Sequence, residues 1–209
     1  RGRVRVCPFG GEALTPALSR QRERELNEMT KALRVALAGL GTVGAGVVKL
    51  IETNRALVER RAARPVKVVA VSARDRTRDR GIDMNSFEWV DDPVSLASRD
   101  DVDVVVELIG GSDGTALALA RATLEAGKAF VTANKAMLAH HGINLARLAE
   151  AKGAALKYEA AVAGGIPVIK GLREGAAANE IARVYGILNG TCNYILTTME
   201  KDKRSFDGV

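Results

Sequence analysis

Three glycines, Gly39, Gly41 and Gly44, are spaced as G-x-G-x-x-G between the apolar run LRVALA and a segment of helical periodicity. This spacing is typical of a turn that joins a strand to a helix beneath a dinucleotide. Gly39 would permit the sharp turn, Gly41 the close approach of a pyrophosphate, and Gly44 the packing of the helix on the strand. The alternative is a glycine-rich turn without a ligand. We expect a dinucleotide to be bound by the whole turn, which comprises Gly39, Leu40, Gly41, Thr42, Val43 and Gly44.

The residues after the second apolar run bear on the kind of dinucleotide. An NAD site usually has an acidic residue at the end of the second strand, but this end reads VSARDRTRDR, with Ser72 or Ala73 at the acidic position. Arg74 follows, and its guanidinium could hold a 2′-phosphate. Two alternatives stay open, because Asp75 would reach the ribose after a small shift of register and Arg74 could be a solvated loop residue. The sequence favours NADP(H) and leaves NAD(H) possible.

A lysine follows another apolar run directly, in FVTANK. Ligands of parallel sheets lie at the carboxyl ends of the strands, so Lys135 would sit in the crevice beside the nicotinamide. Its ammonium could orient a polar group of the substrate or help to move the proton of a hydroxyl. The alternative is a surface lysine that begins a helix.

Short apolar runs alternate with helical periods along most of the chain, and they must position these residues. Strands are predicted over 34–39, 66–73, 103–110, 128–134 and 156–162, with a further short strand near FEWV. Helical periodicity covers 42–60, 114–126 and 136–152. Strands that are apolar on both faces and alternate with helices indicate a parallel sheet covered on both sides. We therefore predict a Rossmann-type, doubly wound α/β domain over residues 31–160.

The pattern changes near residue 161, where a glycine-rich turn precedes a predicted strand over 180–190 and a predicted helix over 191–201. A second domain is expected to begin there and to occupy residues 161–209. Residues 1–30 hold six arginines and four glutamates with little apolar periodicity. We expect them to be a disordered or non-native extension, with Met29 as the natural start.

Composition argues against several classes of protein. Aromatic residues make up 4% of the chain and do not alternate with a basic stripe, so nucleic-acid binding is not expected. No apolar run approaches the roughly 18 residues that span a membrane. Two distant cysteines provide neither a disulfide framework nor a metal-binding spacing. A soluble protein of the cytoplasm is the default expectation.

Five segments together resemble homoserine dehydrogenases, in that family's order and spacing from about residue 33 to 200. They are VALAGLGTVGAGVV, VVVELIGG, FVTANKAMLA, YEAAVAGGIPVI and GILNGTCNYILT. The TANK and NGTCNYIL blocks are more specific than the glycine spacing, since ordinary Rossmann proteins lack them. The resemblance implies NAD(P)H-dependent interconversion of L-aspartate 4-semialdehyde and L-homoserine, in the biosynthesis of threonine, methionine and isoleucine.

The resemblance also implies roles for individual residues. Lys135 matches an active-site lysine, Thr132 and Asn134 lie in the same cofactor-proximal block, and Gly190 and Thr191 approach the substrate. A monovalent cation, sodium or potassium, is implied at a turn formed by Glu159 and the carbonyls of Val162, Gly164 and Ile166. Without the resemblance, Glu159 would be interpreted as a helix-cap or ion-pair carboxylate. Cys192 is expected to be a small buried packing residue.

The resemblance further implies that the second domain is the beginning of an α+β substrate and dimerisation domain. The family's second lysine would lie beyond residue 209, so the chain would be an N-terminal piece of a homodimeric enzyme and inactive alone. Two alternatives remain open: another amino-acid dehydrogenase with a Rossmann domain, and a nucleotide-binding fragment without turnover.

Overall fold

The computed structural model describes residues 31–186 and 189–209. The expected extension over residues 1–30 lies outside the described residues, as do positions 187 and 188 of the predicted strand over 180–190. Within the described part, six strands form one sheet. The strands are β1 (Leu33–Ala38), β2 (Val66–Ser72), β3 (Glu88–Trp89), β4 (Val104–Glu107), β5 (Ala129–Thr132) and β6 (Leu156–Lys157).

The strand order is β3-β2-β1-β4-β5-β6, and all neighbouring strands are parallel. The chain runs outward from β1 to β3 and then returns to the other side of β1 for β4, β5 and β6. The direction of winding therefore reverses between β1 and β4, where such sheets bind their ligands. This topology confirms the predicted Rossmann-type, doubly wound α/β fold.

Helices connect most of these strands. They are α1 (Thr42–Thr53), α2 (Arg55–Ala62), α3 (Thr115–Glu125) and α4 (Lys135–Lys152). Two further helices, α5 (Val168–Lys170, continued by a π-helical turn over Gly171–Gly175) and α6 (Gly190–Asp202), follow the last strand. The helical segment predicted over 42–60 is thus two helices, which meet at Asn54 with φ −104° and ψ 23°. None of the described helices combines the length and the apolar character that a membrane crossing requires.

The central strand β1 is buried on both of its faces. Successive side chains of a strand point to opposite faces, and here Ala36 and Ala38 belong to one apolar cluster while Leu37 belongs to another. The first cluster includes Leu119 of α3, and the second includes Val48 of α1. The two-sided burial of β1 explains why its sequence is apolar without alternation.

The end of the sheet at β6 differs from the prediction. The strand expected over 156–162 has only two residues, and a 3₁₀ helix over Glu159–Ala161 follows it. Tyr158 leaves the extended conformation at ψ 29°, and Ala163 has a positive φ of 54°. Since β6 is an edge strand paired with β5 alone, little holds this segment extended.

The region after Ala161 also departs from expectation. Described residues 180–186 form no strand, although one was predicted over 180–190. A strand needs a neighbour for its backbone N–H and C=O groups, and these exposed residues pair with no strand of the described sheet.

Helix α6 confirms the helix predicted over 191–201. Cys192, however, is exposed, so its expected burial is wrong, because none of the residues of α6 is packed into a core. No described residue after Ala161 is buried. The domain boundary near residue 160 stays a prediction.

Two glycines allow α1 to begin directly above the sheet. Gly39 has φ +102°, and a Cβ on it would lie 2.5 Å from the carbonyl oxygen of Leu108, just after β4. Its N–H donates to the carbonyl oxygen of Ser72, at the end of β2, at 2.8 Å. A Cβ on Gly44 would collide with the carbonyl oxygen of Gly39. The turn therefore fits between β2 and β4 only with bare backbone at both positions.

We predict that Gly44→Ala lowers the free energy of unfolding by about 2–3 kcal/mol, because the obstructing atom is backbone and the turn must shift. The matched control is Gly46→Ala in the same helix, where an added Cβ has no heavy atom within 4 Å. That variant should gain about 0.5–1 kcal/mol from the higher helix propensity of alanine. Urea unfolding followed by circular dichroism measures both. Equal stabilities would contradict the packing argument.

Candidate functional site

A cleft of about 660 Å³ lies at the carboxyl ends of β1, β2 and β4, where the winding of the sheet reverses. Its walls come from the glycine turn, the loop after β2 and the segment after β4. The lining residues are Gly39, Leu40, Gly41, Ser72, Ala73, Arg74, Asp75, Arg78, Arg80, Asp91, Pro93, Leu108, Ile109 and Thr115. The structure thus brings four predicted cofactor residues together, namely Gly39, Leu40, Gly41 and Arg74.

The glycine turn presents bare backbone to this cleft. Gly41 precedes the first residue of α1 and is exposed, and a Cβ built on it has no heavy atom within 4 Å. The first amides of α1 have no acceptor within the helix, so this end carries partial positive charge. Thr42 and Val43 are exposed but are not among the lining residues. The arrangement can accept a phosphate above Gly41.

The end of β2 carries no acidic side chain. The strand ends at the buried Ser72, and the exposed Arg74 lines the cleft. The nearby Asp75 turns back on its own loop, where Oδ1 accepts hydrogen bonds from the hydroxyl of Thr77 at 2.7 Å and from its N–H at 2.9 Å. The hydroxyl bond, more than the backbone one, holds the pKa of Asp75 below its usual value. Arg74 is therefore the less constrained of the two charged groups.

A buried carboxylate lies one strand further along, at the end of β4. Glu107 is fully buried, and its Oε1 accepts from the N–H groups of Ile109 at 2.7 Å and Gly110 at 2.9 Å. Its Oε2 accepts from the hydroxyl of Thr132, at the end of β5, at 2.6 Å. No role for Glu107 follows from the sequence alone. The available signal was an acidic residue that closes a run of β-branched residues.

The same network continues into α4 through Asn134. Its N–H donates to the hydroxyl oxygen of Thr132 at 2.9 Å, and its side-chain amide donates to the carbonyl oxygen of Gly111 at 2.6 Å. Its Oδ1 caps α4 by accepting from the N–H of Met137 at 3.1 Å. Thr132 and Asn134 are both buried. In this structure they hold the loop after β4 against the start of α4, and their predicted place beside the cofactor stays a prediction.

A second contact joins α4 to the loop after β4. Asp113 Oδ1 lies 2.8 Å from Nε2 of His141, and Asp113 Oδ2 accepts from the hydroxyl of Ser112 at 2.6 Å. These contacts, the Ser112 hydroxyl first, lower the pKa of Asp113. The loop is thereby attached to α4 at two points, through Asn134 at the start of the helix and through His141, about two helical turns further along.

Lys135 is the first residue of α4, directly after the capping Asn134. It is exposed and does not line the cleft described above. Gly190 and Thr191 form the exposed first turn of α6, which Asn189 caps through a bond from the N–H of Cys192 to Oδ1 at 3.1 Å. They do not line this cleft either. The roles of all three at the substrate stay predictions.

The predicted cation turn follows β6. Glu159 and Gly164 are exposed, and Ala163 and Gly165 have positive φ values of 54° and 84°. Among the described residues, the carbonyls of Val162 and Gly164 accept no hydrogen bond, whereas that of Ile166 accepts from Val168 at 2.7 Å. No cluster of three or more His, Cys, Asp or Glu side chains occurs in the described part of the chain. The donors present are thus mainly backbone oxygens, which suit a hard cation.

Comparison with known proteins gives one consistent result. Residues 39–159 match a family model described as the NAD binding domain of homoserine dehydrogenase, and residues 167–209 match one described as homoserine dehydrogenase. The homoserine dehydrogenase of Neisseria gonorrhoeae is 44% identical over 179 residues, which are 86% of this chain and 41% of the relative. That of Helicobacter pylori is 44% identical over 178 residues, or 85% and 41% of the two chains.

A solved structure agrees. The crystal structure of a homoserine dehydrogenase from Thiobacillus denitrificans superimposes with a TM-score of 0.74 at 40% identity, over 85% of this chain and 41% of that one. The chain therefore spans about two fifths of the length of the proteins that it resembles.

The buried network leads to a stability prediction. Thr132→Val removes the hydroxyl and leaves Glu107 Oε2 without a donor and the Asn134 N–H without an acceptor. We expect a loss of about 2–4 kcal/mol, since buried polar groups are then unpaired. Thr132→Ser keeps both bonds and should cost no more than about 1.5 kcal/mol for the missing methyl group. Thermal unfolding measures both variants. Equal losses would mean that packing, and not the hydroxyl, matters at this position.

Proposed function

This chain belongs to the homoserine dehydrogenase family, and on that basis we propose that the whole protein interconverts L-aspartate 4-semialdehyde and L-homoserine with NAD(P)H. The observation that supports the proposal most directly is the cleft at the reversal of the sheet, which the glycine turn and Arg74 line together. We further propose that the reaction serves threonine, methionine and isoleucine biosynthesis in the cytoplasm and that the whole protein is a homodimer.

A nicotinamide cofactor, when bound, supplies or accepts the hydride. The residues of this chain then have binding and orienting tasks. The glycine turn holds the pyrophosphate against bare backbone, and the network of Glu107, Thr132 and Asn134 fixes the start of α4. That start carries Lys135 next to the capping asparagine. We assign to its ammonium the orientation of the substrate oxygen and the transfer of its proton.

We propose that NADP(H) is preferred over NAD(H). Arg74 is exposed at the cleft, and its guanidinium makes no hydrogen bond or ion pair to residues 31–186 or 189–209, so it is available for a phosphate. Asp75, the acidic group that would favour a ribose hydroxyl, is engaged by Thr77. Both observations favour a 2′-phosphate at this end of the cleft.

The cofactor prediction uses two variants of the loop after β2. Arg74→Ala should weaken NADPH binding by roughly tenfold, the scale of a charge-assisted hydrogen bond, and leave NADH binding nearly unchanged. Arg76→Ala is the control, because Arg76 belongs to the same loop but does not line the cleft. Titration calorimetry with both cofactors measures the affinities. An equal loss for NADPH and NADH would contradict a contact with the 2′-phosphate.

The catalytic prediction concerns the whole protein. Lys135→Ala should lower kcat by roughly 10²–10⁴, the range for a positioned acid–base group. Lys152→Ala, at the opposite end of the same helix, should leave kcat unchanged. The 209-residue chain alone should bind NADPH but oxidise homoserine at a negligible rate, since the proposed substrate residues Gly190 and Thr191 are exposed and do not line the cleft. A steady-state assay of NADP reduction by homoserine measures all four proteins. Full activity of Lys135→Ala would contradict the catalytic role and leave Lys135 as a surface residue that begins a helix.

We also propose a sodium or potassium site at the turn of Glu159, with the carbonyls of Val162, Gly164 and Ile166. The unused carbonyls of Val162 and Gly164 support it. In the whole protein, Glu159→Gln should reduce activation by monovalent cations, while Glu150→Gln on the exposed side of α4 should not. Initial rates in rising sodium or potassium chloride, at constant ionic strength, measure the effect. Unchanged activation in Glu159→Gln would place the cation elsewhere.

A further inference from the structure

The segment from Ala73 to Gly81, here called the arginine loop, joins β2 to the region before β3 and contains four arginines. They are Arg74, Arg76, Arg78 and Arg80. Arg74, Arg76 and Arg78 are exposed, whereas Arg80 is half-buried. Arg74, Arg78 and Arg80 line the cleft and Arg76 does not. The four side chains thus share a charge and a loop but differ in their surroundings.

Arg80 donates a hydrogen bond from each of its three nitrogens to a backbone carbonyl. Nε donates to Leu40, inside the glycine turn, at 2.7 Å. One terminal nitrogen donates to Arg78 at 2.7 Å, and the other donates to Asp75. The planar guanidinium therefore bridges the glycine turn and two points of the arginine loop, a geometry that the single ammonium of lysine cannot reproduce.

An aromatic ring supports this arrangement from β3. The guanidinium of Arg80 lies 5.7 Å from the centre of the Trp89 ring, and that of Arg76 lies 5.9 Å from it. The indole is itself fixed, because its Nε1–H donates to Asp91 at 2.8 Å and its ring packs against the apolar cluster that contains Leu40. Trp89 thus fixes the position at which Arg80 meets the turn.

We propose that Arg80 is a positioning residue for cofactor binding. It fixes the arginine loop to the glycine turn, and the fixed loop holds the guanidiniums of Arg74 and Arg78 where they can bind the 2′-phosphate of the ribose. The inference rests on the proposed function. Each of its three nitrogens already donates to a backbone carbonyl, and we therefore assign Arg80 a role through the loop instead of a contact with the phosphate. The guanidiniums of Arg74 and Arg78 make no hydrogen bond or ion pair to any residue that the structure describes. A loop held in advance loses less conformational freedom on binding, which raises affinity.

The first test needs no cofactor. Hydrogen–deuterium exchange of the 209-residue chain, read by mass spectrometry, should show exchange several-fold faster in Arg80→Gln for peptides that cover residues 40–45 and 73–82. Arg76→Gln is the matched control, because it removes an arginine from the same loop and the same ring but breaks no hydrogen bond to the described residues. It should leave both peptides unchanged. Exchange in Arg80→Gln that equals the wild type would overturn the proposal.

The second test measures whether loss of the Arg80 hydrogen bonds lowers the affinity for the cofactor. Arg80→Gln should weaken NADPH binding by roughly tenfold and NADH binding less, on the scale of a charge-assisted hydrogen bond. In an Arg74→Ala/Arg78→Ala background, the same change should cost less than about twofold, because residues that act through one another are not additive. Titration calorimetry measures NADPH binding to the four proteins of this cycle, namely the wild type, Arg80→Gln, Arg74→Ala/Arg78→Ala and the triple variant. If Arg80→Gln still lowers NADPH affinity by roughly tenfold in the Arg74→Ala/Arg78→Ala background, Arg80 contacts the phosphate directly and the positioning role is overturned.

The two tests separate this inference from the proposed function. A wild-type chain that binds neither NADPH nor NADH would overturn the cofactor assignment, whereas the cofactor-free exchange would still decide whether Arg80 holds the loop. Faster exchange together with unchanged NADPH affinity in Arg80→Gln would overturn the inference and leave the proposed function intact.

Discussion

The candidate site depends on a backbone-to-backbone contact that excludes side chains. At Gly39 the chain passes so close to Leu108 that a Cβ would clash with its carbonyl, and at Gly44 the first turn of α1 lies against the carbonyl of Gly39. These contacts place the N-terminus of α1 directly above the ends of β1 and β4. Because the obstructing atoms are backbone, no rotamer change can relieve a substitution at either position. The cleft opens at the one glycine of the turn, Gly41, whose Cβ would meet open space.

Polar side chains hold the remaining walls in place around that contact. On one side, Arg80 joins the glycine turn to the arginine loop through the carbonyls of Leu40, Asp75 and Arg78. On the other side, Glu107 and Asn134 bind the backbone of the loop after β4 and join it to β5 and α4. In both places a long or branched polar side chain satisfies backbone groups that neither helix nor strand could pair. The loops around the cleft are therefore ordered by specific bonds, which is what binding a dinucleotide at low entropic cost requires.

The division of exposed and buried residues along the chain bears on the proposed reaction. Residues 31–161 contain two apolar clusters and the six-stranded sheet, whereas every described residue after Ala161 is exposed or half-buried. The chain also spans about two fifths of the length of its relatives. Cofactor binding and turnover are thus separate expectations, because the cleft belongs to the sheet, whereas Lys135, Gly190 and Thr191 do not line it.

The sequence by itself determined the α/β class, the positions of most strands and helices, and the glycine turn with Arg74 beside it. These features depend on residues that are close in the sequence. A strand that is buried on both faces needs a continuous apolar run, and a strand-to-helix turn needs glycines at set spacings. The tertiary structure decided the rest. The short β6 and the absence of a strand over residues 180–186 depend on whether a neighbouring strand is present. The tasks of Glu107 and Arg80 were also decided there, because their hydrogen bonds reach residues 25 and 40 positions away in the chain. The pattern of residue types along the chain does not predict these bonds, because the fold decides which distant carbonyl or hydroxyl lies within hydrogen-bond distance of a side chain.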